Sequence, residues 1–237
     1  MARIKYYDSV AQEWAYADMA VAMPPSRLPS AYQEVEYIAN DGTGQYIDTG
    51  IAPSDDCKMI FDIALDLPVL GSGLFIGGSR ENGSSKMFVV MMQDNTSSKC
   101  SIAAKASTNA DFFVKQISNK SCASAVTVLP RTTLELAING GDYVNSVVCG
   151  EQKSGTITAF SSSYNVYLFG INNGGTLSQQ TGKILYYGFK AYTGTTLSID
   201  LIPCYRKADS VIGMYDIVND VFYTNDGTGT FTKGADV

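Results

Sequence analysis

The sequence predicts an all-β protein: a two-sheet antiparallel jelly-roll sandwich with a short N-terminal anchoring segment. Three observations carry that reading. Short strand-like runs recur from residue 31 to the end, the segments between them are rich in Gly, Asn and Asp, and no stretch sustains a helical period. A chain of 237 residues suits one large domain with an appendage and can bury a full core.

Residues 1–23 differ in pattern from the rest of the chain. Ile4 and Tyr6 alternate with Lys5 and Tyr7, Asp8 and Ser9 interrupt, and Glu13-Trp14-Ala15-Tyr16-Ala17-Asp18 resumes a period of two. The pattern predicts a two-stranded hairpin with Ile4, Tyr6, Trp14 and Tyr16 on one apolar face. The Ala-rich run 15–22 leaves a helical turn open as the alternative. Pro24, Pro25 and Pro29 then forbid a helix and favour a semi-rigid spacer. The chain thus divides into a segment and linker, 1–27, and a main domain, 28–237.

Within the main domain, strands are expected at 34–39, 45–49, 58–66, 74–77, 86–92, 100–104, 111–116, 124–128 and 132–138. Further strands are expected at 143–148, 156–160, 164–169, 183–192, 197–203, 211–215, 220–224 and 230–232. Met59-Phe61-Ile63-Leu65 against Ile60-Asp62-Ala64-Asp66 is a clear alternation, and so is Leu134-Leu136-Ile138 against Glu135-Ala137-Asn139. Asn139-Gly140-Gly141-Asp142, Asn172-Asn173-Gly174-Gly175 and Thr193-Gly194 supply the turns. Gly71-Ser72-Gly73 and Gly77-Gly78-Ser79 read as turn or bulge glycines, since no helix and no Gly-Lys-Ser/Thr end is present to make a phosphate cradle. Asn40-Asp41-Gly42-Thr43-Gly44 is echoed by Asn225-Asp226-Gly227-Thr228-Gly229. The two segments are expected in neighbouring strands, with Gly42 or Gly44 and Gly227 or Gly229 at positive φ, and with Tyr46 and Phe231 on one sheet.

Composition excludes much chemistry. There is no histidine, which removes imidazole-based triads and imidazole–metal sites. A net charge of −6, with no basic cluster among the aromatics, disfavours nucleic acid. No apolar run of about 18 residues marks a membrane span, and the opening residues lack the apolar core of a signal peptide. The five cysteines, Cys57, Cys100, Cys122, Cys149 and Cys204, are odd in number and contain no CxxC pair. They read as isolated buried thiols of a chain folded in a reducing cytoplasm.

Leu28-Pro29-Ser30-Ala31-Tyr32-Gln33-Glu34-Val35-Glu36-Tyr37-Ile38 and Gln45-Tyr46-Ile47-Asp48-Thr49-Gly50 resemble the opening of a laminin-G-like/concanavalin A-like jelly-roll domain of phage and prophage proteins. The end is similar too, in Ile202-Pro203-Cys204-Tyr205-Arg206-Lys207, Val211-Ile212-Gly213-Met214-Tyr215-Asp216 and Phe222-Tyr223-Thr224-Asn225. The resemblance covers about residues 28–234, and is weak between 80 and 180. The opening hairpin is similar to the N-terminal segment of several phage structural proteins. The resemblance implies a non-enzymatic virion protein, made in the bacterial host cytoplasm, docked on other virion proteins through Ile4, Tyr6, Trp14 and Tyr16. Such a module would bind host or mucosal glycans or serve as decoration, and a homo-oligomer is compatible with it.

The resemblance also implies two alternatives. Sandwich glycosidases use a Glu-x-Asp-x-Glu strand, of which Glu34-Val35-Glu36 and Asp62-Ala64-Asp66 are only partial versions; solvated strand faces explain both. Relatives often hold calcium with Asp side chains and backbone carbonyls. Asp41, Asp226 and the Asp55-Asp56 pair are the acidic loop candidates, and turn chemistry is the competing reading. No other cofactor is expected. Tyr164, Tyr167, Tyr186, Tyr187 and Tyr192, near Asn165, Asn172 and Asn173, would suit sugar stacking, or would simply fill sheet faces. No glycan-contacting residue is singled out.

Overall fold

Alternation builds the core. Along 56–66, Cys57, Met59, Phe61, Ile63 and Leu65 are buried while Lys58, Ile60 and Asp62 stay half-exposed, as successive side chains of a strand must point to opposite faces. The structure, a computed structural model, describes residues 27–41, 44–66, 73–81, 86–95, 97–107, 110–122, 129–179 and 182–237, together with the backbone of 3–8 and 13–18.

In chain order the strands begin with β1 (Arg3–Asp8), β2 (Glu13–Asp18), β3 (Tyr32–Glu34), β4 (Ile38–Ala39), β5 (Ile47–Asp48), β6 (Asp56–Asp66) and β7 (Gly73–Arg80). They continue with β8 (Met87–Asp94), β9 (Cys100–Ser107), β10 (Ala110–Gln116), β11 (Leu129–Asn139), β12 (Asp142–Val148), β13 (Glu151–Thr156) and β14 (Tyr167–Leu168). The last are β15 (Ile171–Asn173), β16 (Thr176–Ser178), β17 (Lys183–Thr193), β18 (Thr196–Arg206), β19 (Ile212–Asp216), β20 (Val221–Tyr223) and β21 (Thr232–Lys233). Among the described residues there is no helix.

The larger sheet runs β13-β12-β11-β6-β17-β18-β19-β20, with β3 on β18, β4 on β17 and β21 on β4. The smaller runs β10-β9-β8-β7-β14-β5, and β15–β16 joins it through a parallel contact with β7. Elsewhere the pairing is antiparallel, so the fold is the expected two-sheet sandwich. One large apolar cluster fills the space between the sheets, with Phe61, Phe88, Phe113, Phe169, Tyr186 and Phe189 as its bulkiest members. Phe61 and Phe189 meet edge-on at 5.1 Å. Tyr186, from the larger sheet, donates its hydroxyl to the Ile76 carbonyl of the smaller one at 2.8 Å, which satisfies the one polar tip this ring carries inward.

The turns obey their residues. Asn139 faces Asp142 across Gly140 (φ 58°) and Gly141 (φ 99°), the left-handed pair that a two-residue hairpin demands. Gly78 lies at φ 139° beside the Phe88 carbonyl, with no room for a Cβ, and the β7 register shifts just before it. The turn expected at Gly174-Gly175 forms, with φ of 62° and 90°, and it joins two short paired strands, β15 and β16, that the sequence did not suggest. The strand expected at 156–160 instead occupies Glu151–Thr156, an edge strand whose polar sequence shows no apolar alternation. The strand expected at 124–128, and Gly71 and Ser72, lie outside the described residues.

The cysteine reading needs correcting. Cys100 and Cys122 form a disulfide, with Cα atoms 4.5 Å apart. After the β9–β10 hairpin, the chain folds back on Cys100: the N–H groups of Ile117 and Ser118 donate to its carbonyl, and its own N–H donates to Lys120. Only Cys57, Cys149 and Cys204 are free thiols.

At the N-terminus, β1 and β2 pair as a hairpin, so the helical alternative for the run from Ala15 is excluded as far as Asp18. The register sets Ile4 opposite Ala17 and Tyr6 opposite Ala15, whereas Trp14 and Tyr16 stand opposite Tyr7 and Lys5. Directly opposed residues share a face, so the expected single face uniting Ile4, Tyr6, Trp14 and Tyr16 does not form. The two strands alternate out of phase with each other.

The echo is resolved in part. The end of the chain pairs with its beginning: β21 lies on β4, Gly234 N–H donates to Tyr37, and Val237 N–H donates to Glu34. Gly44 (φ 101°) and Gly229 (φ 77°) are left-handed as expected, and the Thr228 N–H donates to Gly44 across the two segments. However, Tyr46 leads into β5 of the smaller sheet and Phe231 into β21 of the larger. The matching loops therefore clasp the two sheets together instead of forming neighbouring strands.

Candidate functional site

Residues of β6 that face away from the core set out three rungs across the outer face of the larger sheet. Lys58 stands between Ala137 of β11 and Tyr192 of β17, Ile60 between Glu135 and Lys190, and Asp62 between Thr133 and Gly188. Gly188 comes after a register shift at Tyr186, and its missing side chain leaves the floor low beside Asp62. A second shift, between Leu129 and Thr132 of β11, accompanies Arg131 at the rim. Its guanidinium donates to both carboxylate oxygens of Asp62, at 3.0 and 2.7 Å, and lies 4.3 Å from the centre of the Tyr187 ring. That hydrogen bond raises the Arg131 pKa above its ordinary value. Tyr187 also contacts Tyr37, with ring centres 5.4 Å apart, and its phenol is pushed up mainly by burial. The result is a groove of about 280 Å³ walled by Arg131, Tyr187, Lys190 and Asp200, with Arg27 at its mouth.

Its charges are paired. Lys190 meets Asp200 at 2.7 Å and Arg27 meets Glu34 at 2.6 Å. Next to it a wider recess of about 720 Å³ opens around Lys58, Glu135, Asn145, Tyr192 and Gly194. Here Lys58 pairs with Glu135 at 3.3 Å and lies 4.5 Å from the Tyr192 ring centre. The face thus offers alternating donors and acceptors together with aromatic rings, the ingredients of polyhydroxyl recognition. A further recess of about 450 Å³ lies between 209–212 and 224–231. There Asn225 spends all four of its hydrogen-bonding positions on the backbone of Tyr46, Gly227, Thr228 and Gly229.

The structure separates the residues that the sequence suggested together. Tyr186 is wholly buried and Tyr167 packs on Tyr46 with ring centres 4.5 Å apart. Asn172 accepts the Gly175 N–H, and Asn173 accepts the Arg80 side chain. Of the five tyrosines, Tyr187 lines the groove and Tyr192 the wider recess beside it. Of the acids singled out as partial glycosidase patterns, Glu34 is engaged by Arg27 and Asp62 by Arg131, Glu36 is exposed, and the Asp66 side chain lies outside what is described. Outside the groove, the carboxyls of Glu151, Asp209 and Asp236 are held below their ordinary values by hydrogen bonds from Lys or Arg. Asp226 accepts the Asp48 N–H, a tie to a distant strand and not a local turn, and Asp41 is exposed. Asp55 and Asp56 accept the N–H groups of Gly140 and Gly194 through their carbonyls. Among the described residues no group of three Asp, Glu or Cys could hold a metal ion.

Arg131, Gly188, Lys190 and Asp200 were not foreseen in the groove. The Tyr187-Gly188 step inside a long strand was the one available signal, since an interior strand glycine marks a bulge.

No family model matches the chain, and no curated protein matches it. Among solved structures it is similar to the Ruminococcus gnavus IT-sialidase CBM40, at 14% identity and a TM-score of 0.36, over 68% of this chain and 92% of that one.

Proposed function

We propose that the chain is a non-catalytic jelly-roll module that binds a glycan on the outer face of its larger sheet and is carried on a phage particle by residues 1–27. The observation that carries the binding reading is the groove itself. Tyr187 and Tyr192 stand beside fixed donors and acceptors, and the carboxylates Asp62, Asp200 and Glu135 are each held by a cation. Carboxylates held this way can accept sugar hydroxyls but are poorly placed to deliver a proton. Virion attachment is supported by the resemblance of residues 28–234 to phage and prophage proteins. Host or mucosal glycans are the ligands such a particle would meet.

Two experiments test the proposal. Screening the full chain on a glycan array should give binding that Tyr187→Ala removes; no binding to any glycan would refute the binding reading. Mass spectrometry of purified particles should find the chain; its absence would refute the virion reading.

A further inference from the structure

The two recesses of the outer face are one continuous track. Asp62 and Thr133 line the first, Lys58 and Ala137 line the second, and the rung between them, Glu135–Ile60–Lys190, contributes to both. Outward residues along a strand are spaced by roughly 7 Å, so the three rungs alone span about 13 Å. An aromatic ring stands at each end, Tyr187 at one and Tyr192 at the other. Between them lie three ion pairs, Arg131–Asp62, Lys190–Asp200 and Lys58–Glu135. Each cation is matched by an acid, so the track carries no net charge, and the chain as a whole is at −6. A polyanion would meet repulsion from the protein and would have to displace each acid from its partner. A neutral chain of hydroxyls meets donors and acceptors already in place.

We propose, resting on the glycan-binding reading above, that the ligand is an uncharged linear polysaccharide lying lengthwise along β6 and β17, engaged over several units and not at a terminal sugar alone. Its ends stack on Tyr187 and Tyr192, and its middle crosses Ile60.

The test is calorimetry on the full chain with neutral gluco-, galacto- and manno-oligosaccharides from disaccharide to hexasaccharide, and with oligogalacturonate of matched length. Affinity should rise by about tenfold or more from the disaccharide to the hexasaccharide of one neutral series, and Tyr192→Ala should erase most of that gain. Ile60→Glu, in the middle rung, should do the same, with an unchanged melting temperature showing that both variants fold. Affinity independent of length, or binding confined to the galacturonate, would overturn the inference while leaving a glycan-binding protein. No binding to any glycan would overturn both readings.

Discussion

The Asp226 carboxylate accepts the backbone N–H of Asp48 at 2.9 Å, across 178 positions of sequence. Beside it, Asn225 accepts the Tyr46 N–H at 3.1 Å. One loop near the end of the chain thus holds the approach to β5, while β21, just beyond it, holds β4. The sheets are fastened to each other where the chain closes. The two contacts should not be equal. The Asp226 bond is solvent-exposed, so water can replace it, and Asp226→Ala should cost about 0.5–1.5 kcal/mol. Asn225→Ala removes four bonds at once, three of them as exposed as that of Asp226 and one half-buried, and should cost about 1–3 kcal/mol. Urea unfolding of both variants measures the difference; equal costs would show that the Asn225 network adds nothing.

Ser79 makes the opposite prediction. Its hydroxyl is fully buried with no hydrogen-bond partner among the described residues, and its register neighbour Phe88 is in the core. An unsatisfied buried hydroxyl is a cost, so Ser79→Ala should stabilise the fold by about 1 kcal/mol. A loss of similar size in the same unfolding measurement would show that the hydroxyl is satisfied after all.

These contacts also show what a sequence can and cannot disclose. The strands β6 and β11 and the second half of β17 were legible because each buries one face and leaves the other more exposed, which writes a period of two. By contrast, β18 is buried on both faces from Ile199 to Cys204. β13 and β15–β16 were not legible, since edge strands and a short hairpin with polar residues write no such period. The disulfide was hidden because Cys122 reaches Cys100 only after β10 folds back on β9. In the groove, Asp62 read as a solvated position, and its partner Arg131 lies 69 residues further on. Nothing local joins them; the β6–β11 pairing does.

Acid should weaken one tie between the sheets. Glu151 of β13 meets Lys115 of β10 at 2.7 Å and Lys153 at 2.9 Å, and these bonds lower its pKa from 4.5 to about 2. A depressed carboxylate stabilises the fold fully above its unfolded value, and loses that contribution as pH falls through its folded value. The stability difference between the protein and Glu151→Gln should therefore be constant near neutral pH and shrink progressively from about pH 4.5 towards pH 2. Thermal unfolding across that range measures it. A difference that grows on acidification would contradict the assignment.

The thiols should divide by reactivity. Burial pushes Cys57 up to about 11 and Cys204 up to about 12, so neither offers thiolate at neutral pH. Cys149 is also raised by burial, but it is half-exposed and beside Lys115. Native alkylation with peptide mass spectrometry should label Cys149 first, and labelling of Cys57 ahead of it would contradict the structure. Reducing Cys100–Cys122 releases a crosslink spanning 22 positions and should cost roughly 3 kcal/mol, read from urea unfolding with and without reductant. An unchanged midpoint would show the bond to be dispensable.

If the outer face of the larger sheet binds a glycan, the ligand should leave its footprint on the backbone beneath it. Amide hydrogen exchange of the full chain, with and without a saturating glycan identified on the array, reads that footprint. The expected result is slower exchange in β6, β11 and β17 around Asp62, Arg131 and Gly188, and no change in β8 or β9. Protection confined to the smaller sheet, or to the loop at 224–231, would contradict glycan binding at this face.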